Sequence, residues 1–296
     1  MEYLLIPLGC ALASLKVTLQ SKFSKSGKHT LSQNIFFTAI MFATISLMFL
    51  PTLFDGGISG KTIFYAALLG SLSLIYQIFY VVALSMGRMT LTVIINNFGM
   101  LIPMLMSIFF LGDEFTILIG IGAALALVSL CLSVVNNPSK KKESKSAAEG
   151  VIWLVMALMV FLTNGLASAS QKLYTARAGE DFQLFEFICL AYMIAAVEAF
   201  VIVAFLAPGD KTGGEALISK STLFIGCGVG VALGAFQCVN TIAMSLIPAP
   251  IYYPAFNCGT SLLLALIGGV LFKERFTVRQ YIGIGLGVVA ILLLCL

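Results

Sequence analysis

Uncharged polar side chains occur at regular spacing inside long apolar stretches of this sequence. Gln237 and Asn240 are three residues apart, as are Gln77 and Tyr80, and this spacing puts each pair on one face of a helix. A polar side chain in hydrocarbon faces protein or a water-filled cavity, so each is a candidate for binding a solute. The alternative is a packing hydrogen bond between helices. The predicted substrate site consists of Gln77, Tyr80, Asn97, Asn164, Gln237, Asn240, Tyr253, Asn257 and Lys16.

Two charged residues also lie inside apolar stretches. Lys16 lies on the first span, about 10 Å along the helix from the basic loop that follows it, at 1.5 Å per residue. It either snorkels to the membrane surface or supplies a cation for an anionic substrate group or an acid. Glu198 has apolar neighbours on both sides, and an ionised carboxylate there must be paired or take up a proton. Glu198 is therefore either a proton-coupling residue or a neutral, hydrogen-bonded one.

Helix geometry adds two expectations about the polar stretches. Asn164, Ser168 and Gln171 follow the i, i+4, i+7 spacing of one helix face, which predicts that this polar stripe points inward. Pro103 has no N–H to donate within its helix, so it permits a bend in the fourth span.

The composition excludes a water-soluble globular domain. Of 296 residues, 60% are hydrophobic and 10% are charged, whereas about 25% of residues are charged in a soluble domain. Apolar runs long enough for membrane helices, roughly 20 residues each, continue from end to end. The predicted fold class is an all-α membrane protein with ten transmembrane helices. The predicted spans are 3–23, 32–53, 62–85, 89–111, 115–135, 150–172, 182–207, 221–246, 248–272 and 277–295.

A polar, basic segment divides the ten spans into two sets of five. Residues 136–149 begin with a helix-terminating Asn-Asn-Pro sequence and contain four lysines. We therefore predict a first five-helix repeat at 1–135, a basic linker at 136–149 and a second five-helix repeat at 150–296.

The two halves match each other when the second is shifted by 160 residues. This shift aligns Gln77 with Gln237 and Asn97 with Asn257, in register with several glycines. Because five is odd, the second copy must cross the membrane in the opposite sense. That arrangement is the inverted-repeat plan of many secondary transporters.

Helix ends in both halves resemble those of a known family. Ala83-Leu84-Ser85 and Ala243-Met244-Ser245 close the third helix of each half, and the acidic turns Leu111-Gly112-Asp113-Glu114 and Leu271-Phe272-Lys273-Glu274 follow the fourth. Together with the glycine-rich fifth helices, they resemble the EamA-like branch of the drug/metabolite transporter superfamily over nearly the whole chain. The resemblance implies a central cavity bounded by helices 1, 3, 4, 6, 8 and 9, with helices 5 and 10 packed behind.

Lysines and arginines are concentrated in alternate loops. One set of loops includes the linker 136–149, whereas the opposite set holds Lys61 and Arg177, with Lys172 at a helix end. By the positive-inside rule the linker is cytoplasmic and both termini face outward, although the resemblance implies cytoplasmic termini. We predict a multi-pass protein of the cell membrane with a cytoplasmic linker.

The sequence lacks the motifs of several other protein classes. The seven cysteines lie in apolar runs without metal-ligand spacing, and the one histidine, His29, is in a polar loop. Gly283-Ile284-Gly285 lacks the strand–turn–helix context of a nucleotide site. We expect no cofactor, no metal, no nucleic-acid partner and no enzymatic activity.

The predicted function is secondary active transport of a small organic metabolite by alternating access, coupled to protons or running as exchange. A lipid or polyprenyl-phosphate flippase is the alternative, favoured if Lys16 binds phosphate. An intramembrane enzyme would need a nucleophile–base pair or a metal cluster. The expected partners are a small-molecule substrate and membrane lipid, with the chain a monomer or a weak homodimer. We expect Leu at position 77 or 237 to weaken substrate binding without disturbing the fold.

Overall fold

The structure is a computed structural model that describes residues 2–25, 29–54, 56–86, 89–133, 147–206, 220–271 and 277–294. Within these residues the chain is helical and has no strand. Short 3₁₀ helices occur at Glu2–Leu4, Leu50–Phe54 and Gly179–Asp181. The α-helices are α1 (Leu5–Lys25), α2 (Leu31–Phe49), α3 (Gly60–Ser85), α4 (Met89–Phe98), α5 (Leu101–Leu111), α6 (Ile117–Ser133), α7 (Ala147–Arg177), α8 (Leu184–Leu206), α9 (Lys220–Leu246), α10 (Ala249–Leu271) and α11 (Val278–Leu294).

Eight helical segments of the described residues are long and apolar enough to cross a membrane, with most of α4 and all of α5 forming one of them. The remaining two apolar helices, α6 and α11, have 17 residues each, or about 26 Å at 1.5 Å per residue. Each of the ten predicted spans falls on one of these segments. The described chain is thus all-helical, with the helices of a multi-pass membrane protein. Ten crossings and inverted repeats stay predictions.

The sixth span is longer than the sequence predicts. α7 continues to Arg177, five residues beyond the predicted end at residue 172. Gln171 and Lys172 are polar enough to indicate a helix end, yet both side chains are buried in the structure. Lys172 therefore lies inside a helix, and its prediction as a helix-end residue is wrong.

The fourth span is interrupted between α4 and α5. The N–H of Gly99 bonds to the carbonyl of Asn96 at 2.9 Å, and the N–H of Met100 bonds to the carbonyl of Asn97 at 3.3 Å. These are the i to i+3 bonds of a turn rather than those of an α-helix. Pro103 cannot donate to the carbonyl of Gly99, so the interruption lies one turn before the proline.

Helix contacts group the chain into two compact units, and each unit draws residues from both halves of the sequence. Unit 1 comprises Met1–Cys10, Phe79–Ala169 and Ile247–Leu296, and unit 2 comprises Ala11–Ile78 and Ser170–Leu246. Of the predicted linker, residues 136–146 lie outside the described residues, and the last three begin α7. The repeat boundaries and the orientation of the linker stay predictions.

In unit 1, α6 and α11 pack against each other through small residues. The hydroxyl of Ser129 donates to the carbonyl of Gly283 at 2.7 Å. A Cβ atom on Gly287 would lie 2.7 Å from the Ser129 Oγ, and one on Gly122 would lie 2.8 Å from the Leu294 Cγ. Neither position has space for a larger residue unless the neighbouring side chain or its helix shifts.

The acidic turn after α5 has a structural role in unit 1. The Asp113 carboxylate accepts the N–H of Ala249, the first residue of α10, at 2.8 Å. Unpaired N–H groups at the start of a helix carry partial positive charge, so a carboxylate there is stabilising. Asp113 thereby joins the end of the fourth span to the start of the ninth.

In unit 2, α2 packs against α8 and α9, and glycines allow close approach. A Cβ atom on Gly230 of α9 would lie 2.7 Å from the carbonyl oxygen of Met41 and 2.6 Å from the Cβ of Thr44. A Cβ atom on Gly70 of α3 would overlap the carbonyl oxygen of Ala191 on α8. Both contacts are with backbone, which cannot rotate away.

One end of unit 2 is held by polar contacts between two loops. The Gln183 side chain accepts the N–H of Ser59 at 2.9 Å and donates to the carbonyl of Gly57 at 2.8 Å. Lys61 forms an ion pair with Asp181 at 3.1 Å. These contacts fix the start of α3 against the start of α8.

We predict that Gly230→Ala destabilises the protein relative to Gly228→Ala. Both changes gain the same helix propensity, but a Cβ atom at Gly228 meets nothing within 4 Å. Overpacking costs about 1–3 kcal/mol, so the Gly230 variant should be less stable by that amount. Thermal unfolding in detergent checks the difference, and equal midpoints for the two variants would contradict the packing at Gly230.

Candidate functional site

The predicted site residues divide between the two units. Unit 2 contains Lys16, Gln77, Gln237 and Asn240, together with Glu198. Unit 1 contains Tyr80, Asn97, Asn164, Tyr253 and Asn257.

A buried hydrogen-bond network joins α7, α8 and α9 in unit 2. The Gln171 side chain donates to the Thr241 hydroxyl at 2.7 Å and accepts from the Asn240 amide at 3.2 Å. The same Asn240 amide donates to the Gln237 side-chain oxygen at 3.3 Å, and Gln237 donates to the Tyr192 hydroxyl. All five side chains are buried. In hydrocarbon such a network holds the three helices in one register.

This network accounts for two of the predicted site residues. Gln237 and Asn240 are bonded to other side chains of unit 2, which is the packing alternative that the sequence left open. Tyr192 and Thr241 are not among the site residues that the sequence predicts. The only signals were the four-residue spacing of Thr241 from Gln237 and the isolated hydroxyl of Tyr192 in an apolar helix.

Lys172 stabilises the end of α9. Its ammonium group donates to the carbonyl of Met244 at 2.9 Å, and its side chain is 6% exposed. The last carbonyls of a helix have no intrahelical partner and carry partial negative charge, so a cation there is stabilising. The charge of Lys172 is thus used within unit 2.

In unit 1, amide side chains surround the break between α4 and α5. The Asn164 side chain donates to the carbonyl of Asn96 at 3.3 Å, and the Asn257 amide nitrogen lies 3.3 Å from the sulfur of Met100. A sulfur atom is a weak acceptor. The Oδ1 atom of Asn96 is buried and has no hydrogen-bond partner among the described residues.

The two tyrosines of the predicted site differ in their surroundings. The Tyr253 hydroxyl donates to the carbonyl of Ser168 at 3.0 Å, and its side chain is buried. The Tyr80 side chain is half-buried on α3. Tyr253 thus links α10 to the polar stripe of α7, and one member of that stripe, Asn164, reaches α4 as an inward stripe should.

Three predicted site residues remain available for a ligand. Lys16, Gln77 and Asn97 are half-buried, and no described residue forms a hydrogen bond or ion pair with any of their side chains. A half-buried polar group without a protein partner bonds to water or to a bound solute.

Glu198 has one hydrogen-bond donor on a neighbouring helix. The hydroxyl of Ser71 on α3 donates to a carboxyl oxygen of Glu198 on α8 at 2.6 Å. The Glu198 side chain is half-buried, and the ion pair of the described residues involves Lys61 and Asp181 instead. The second carboxyl oxygen has no hydrogen-bond partner among the described residues.

We predict that Thr241→Val destabilises the protein by about 1–3 kcal/mol, the cost of a buried donor left unpaired. The change keeps the shape of the side chain but removes the acceptor of the Gln171 amide. Thr163→Val is the matched control, because the buried Thr163 hydroxyl donates only to carbonyls of its own helix. Thermal unfolding of both variants checks the network, which would be refuted by equal losses.

Comparisons with known proteins identify the fold alone. No family model and no curated protein matches the chain. Among 28 matching chains of solved structures, one described only as "Crystal structure of protein" superposes with a TM-score of 0.76. It is 16% identical, and the match covers 99% of this chain and 98% of that chain. At this identity the likeness extends to the arrangement of helices over the full length and no further.

Proposed function

We propose that this chain is a secondary transporter that moves a small organic solute across the cell membrane by alternating access. The observation that carries the proposal is a set of paired helix contacts, in which residues 160 or 161 positions apart in the two halves each contact a helix of the opposite half. Such pairing supports two inverted repeats. Inverted repeats with a solute site near the midplane are the plan of many secondary transporters.

The first pair of contacts lies in unit 2. Gly70 and Gly230 are 160 residues apart, and Met41 and Ala191 are 150 residues apart. Gly70 in the third span adjoins the carbonyl of Ala191 in the seventh, and Gly230 in the eighth adjoins the carbonyl of Met41 in the second. The third helix of each half thus packs on the second helix of the other, as a two-fold relation requires.

A second pair of contacts lies in unit 1. The carbonyls of Asn96 and Phe256 are again 160 residues apart. Asn96 accepts from the Asn164 side chain of α7, and Phe256 accepts from the Cys10 thiol of α1 at 3.4 Å. The donors come from the first helices of the two halves, so the contacts are exchanged between the halves as in unit 2.

The third pair joins α6 and α11. Ser129 contacts the carbonyl of Gly283, and a Cβ atom on Gly122 would lie 3.5 Å from the carbonyl of Ala290. A shift of 161 residues turns Gly122 into Gly283 and Ser129 into Ala290. Under this shift, Gly122 and Gly283 share one position and Ser129 and Ala290 share another. Each of these positions in one half contacts the other position in the opposite half. Helices of 17 residues are at the short end of the range for membrane spans. Counting α6 and α11 with the eight longer segments supports the ten crossings that we propose for the described residues.

In each unit, one predicted site residue offers a solute an amide that is unpaired among the described residues. Gln77 in unit 2 and Asn97 in unit 1 each have an amide with no protein partner among the described residues. Asn97 also lies next to the break between α4 and α5, and interrupted helices are typical of the binding regions of transporters. Each amide offers both a donor and an acceptor to a solute.

Membership of the EamA-like drug/metabolite transporters and a cytoplasmic linker belong to the same proposal. The matching Ala-Leu-Ser and Ala-Met-Ser helix ends support the family. Lys172 lies inside α7 and not in a loop, so Lys61 and Arg177 are the basic residues on the side opposite the linker. By the positive-inside rule, this small number supports a cytoplasmic linker.

Uptake of a labelled metabolite extract into proteoliposomes, followed by mass spectrometry, tests transport. We expect at least one soluble compound to accumulate above the level in protein-free liposomes. Gln77→Leu should lower its uptake about fivefold, since a hydrogen bond to the ligand contributes about 1 kcal/mol, and leave the unfolding temperature unchanged. Gln237→Leu is the contrasting variant, because it removes the hydrogen-bond donor to the buried Tyr192 hydroxyl and one of the acceptors of Asn240, and it should lower stability. Absence of accumulation for every compound would overturn the proposal.

Glu198 is the proposed proton-coupling residue, and its exchange for glutamine tests this role. Glutamine retains an oxygen to accept from Ser71 but cannot release a proton. We expect Glu198→Gln proteoliposomes to lose the response of uptake to an imposed pH gradient, while Ser71→Ala, which retains the carboxyl group, responds. A pH response in Glu198→Gln equal to that of the original protein would assign the carboxyl group to packing.

A further inference from the structure

Lys16 lies on the face of α1 that points into the protein. Gly9, Ala13, Lys16 and Gln20 follow the four-, three- and four-residue steps of one helix face, and Gly9 and Ala13 are buried. The lipid-facing side chains of α1 are elsewhere, with Leu8 and Leu15 exposed. Lys16 itself is half-buried. Its position on the inward face argues against contact with lipid.

The depth of Lys16 makes snorkelling unfavourable. Lys22, the next basic residue, is six residues away along α1, or about 9 Å. Side chains on a helix tilt toward its N-terminus, so the Lys16 side chain starts in the direction away from Lys22. In that direction the helix continues for eleven residues to Leu5, or about 17 Å. The Cα–Cβ bond of Lys16 therefore points toward the apolar N-terminal part of the helix and away from the basic end.

A second lysine in an equivalent position has a different environment. Residues 9–16 and 165–172 are identical at five of eight positions, including the terminal lysines, Lys16 and Lys172. The Lys172 ammonium donates to the carbonyl of Met244 at the end of α9. No described residue forms a hydrogen bond or an ion pair with Lys16. The same local sequence thus provides one lysine that stabilises a helix end and one whose charge is unused.

From these observations we infer that the substrate carries an anionic group, a carboxylate or a phosphate, which binds the Lys16 ammonium group. An unpaired cation inside a membrane protein is costly, and such residues mark ligand or ion pathways. A charge-assisted hydrogen bond from Lys16 supplies the missing counter-ion. Gln20, on the same face and also without a partner among the described residues, offers an amide N–H to a second anionic oxygen. This inference rests on the proposed transport function and adds the substrate class to it.

Anion-dependent thermal unfolding of the purified full-length protein tests the inference. The probes are inorganic phosphate, succinate and dihexanoyl phosphatidic acid, with succinamide and dihexanoyl phosphatidylcholine as matched probes without net negative charge, all at one ionic strength. We expect at least one anionic probe to raise the unfolding temperature saturably. Its apparent Kd should be at least tenfold weaker in Lys16→Gln and restored in Lys16→Arg. The neutral probes should have no such effect.

Lys172→Gln is the matched control for the loss of a buried lysine. It removes the bond to Met244, so it should lower the unfolding temperature without changing the Kd of the anion. Far-UV circular dichroism checks that each variant is folded. The inference is overturned if no anionic probe stabilises the original protein, if Lys16→Gln binds the anion equally well, or if Lys172→Gln alone weakens binding.

The pattern of probes identifies the source of the anion. Stabilisation by phosphate or succinate assigns a water-soluble substrate, whereas stabilisation by phosphatidic acid alone assigns a lipid phosphate and favours a flippase. Failure of this inference is also separable from failure of the proposed function. If proteoliposomes transport an uncharged solute that Lys16→Gln transports equally well, transport stands and the anionic substrate class falls. If Lys16 binds the anion but no solute crosses, the anion site stands and transport falls.

Discussion

In hydrocarbon there is no water to hydrogen-bond a polar group, so each donor and acceptor within a span needs a partner in the protein, a ligand or a wet cavity. Much of the described structure follows from this constraint. Asn164 bonds to a backbone carbonyl at the break in the fourth span, Gln171 to Thr241, and Lys172 to the end of α9. Because these side chains have partners, Lys16, Gln77 and Asn97 stand out as the polar groups that a solute can use.

The helices must also approach one another closely. Lipid is as apolar as the side chains, so the hydrophobic effect does not favour contact between helices, and van der Waals contact favours it instead. Glycines provide it at the points where spans of one half meet spans of the other. Gly70 and Gly230 are 160 residues apart, and each adjoins a carbonyl of the opposite half. Packing of this kind explains why the compact units combine segments from both halves instead of following the linker.

If the halves are related by a two-fold axis, their differences are as informative as their similarities. Lys16 and Lys172 end eight-residue segments that are identical at five positions, but only Lys172 is bonded to a helix end. Gln77 and Gln237 are a matching pair, but only Gln237 belongs to a buried network. In both pairs the residue of the second half stabilises the helices, and the residue of the first half is free to bind a ligand. Recognition would then depend more on the first half than on the second.

The sequence by itself determined the positions of the helices, because a membrane helix satisfies its backbone within its own segment and its apolar length is visible in the chain. It also indicated the polar pairs and the glycine-rich fifth helix of each half. Only the tertiary structure decided which amides pack and which remain available, since Gln77 and Gln237 look alike until their neighbours are known. The same holds for the end of α7 and the role of Lys172, whose partner Met244 is 72 residues away in the chain. A long-range contact of that kind leaves no trace in local composition.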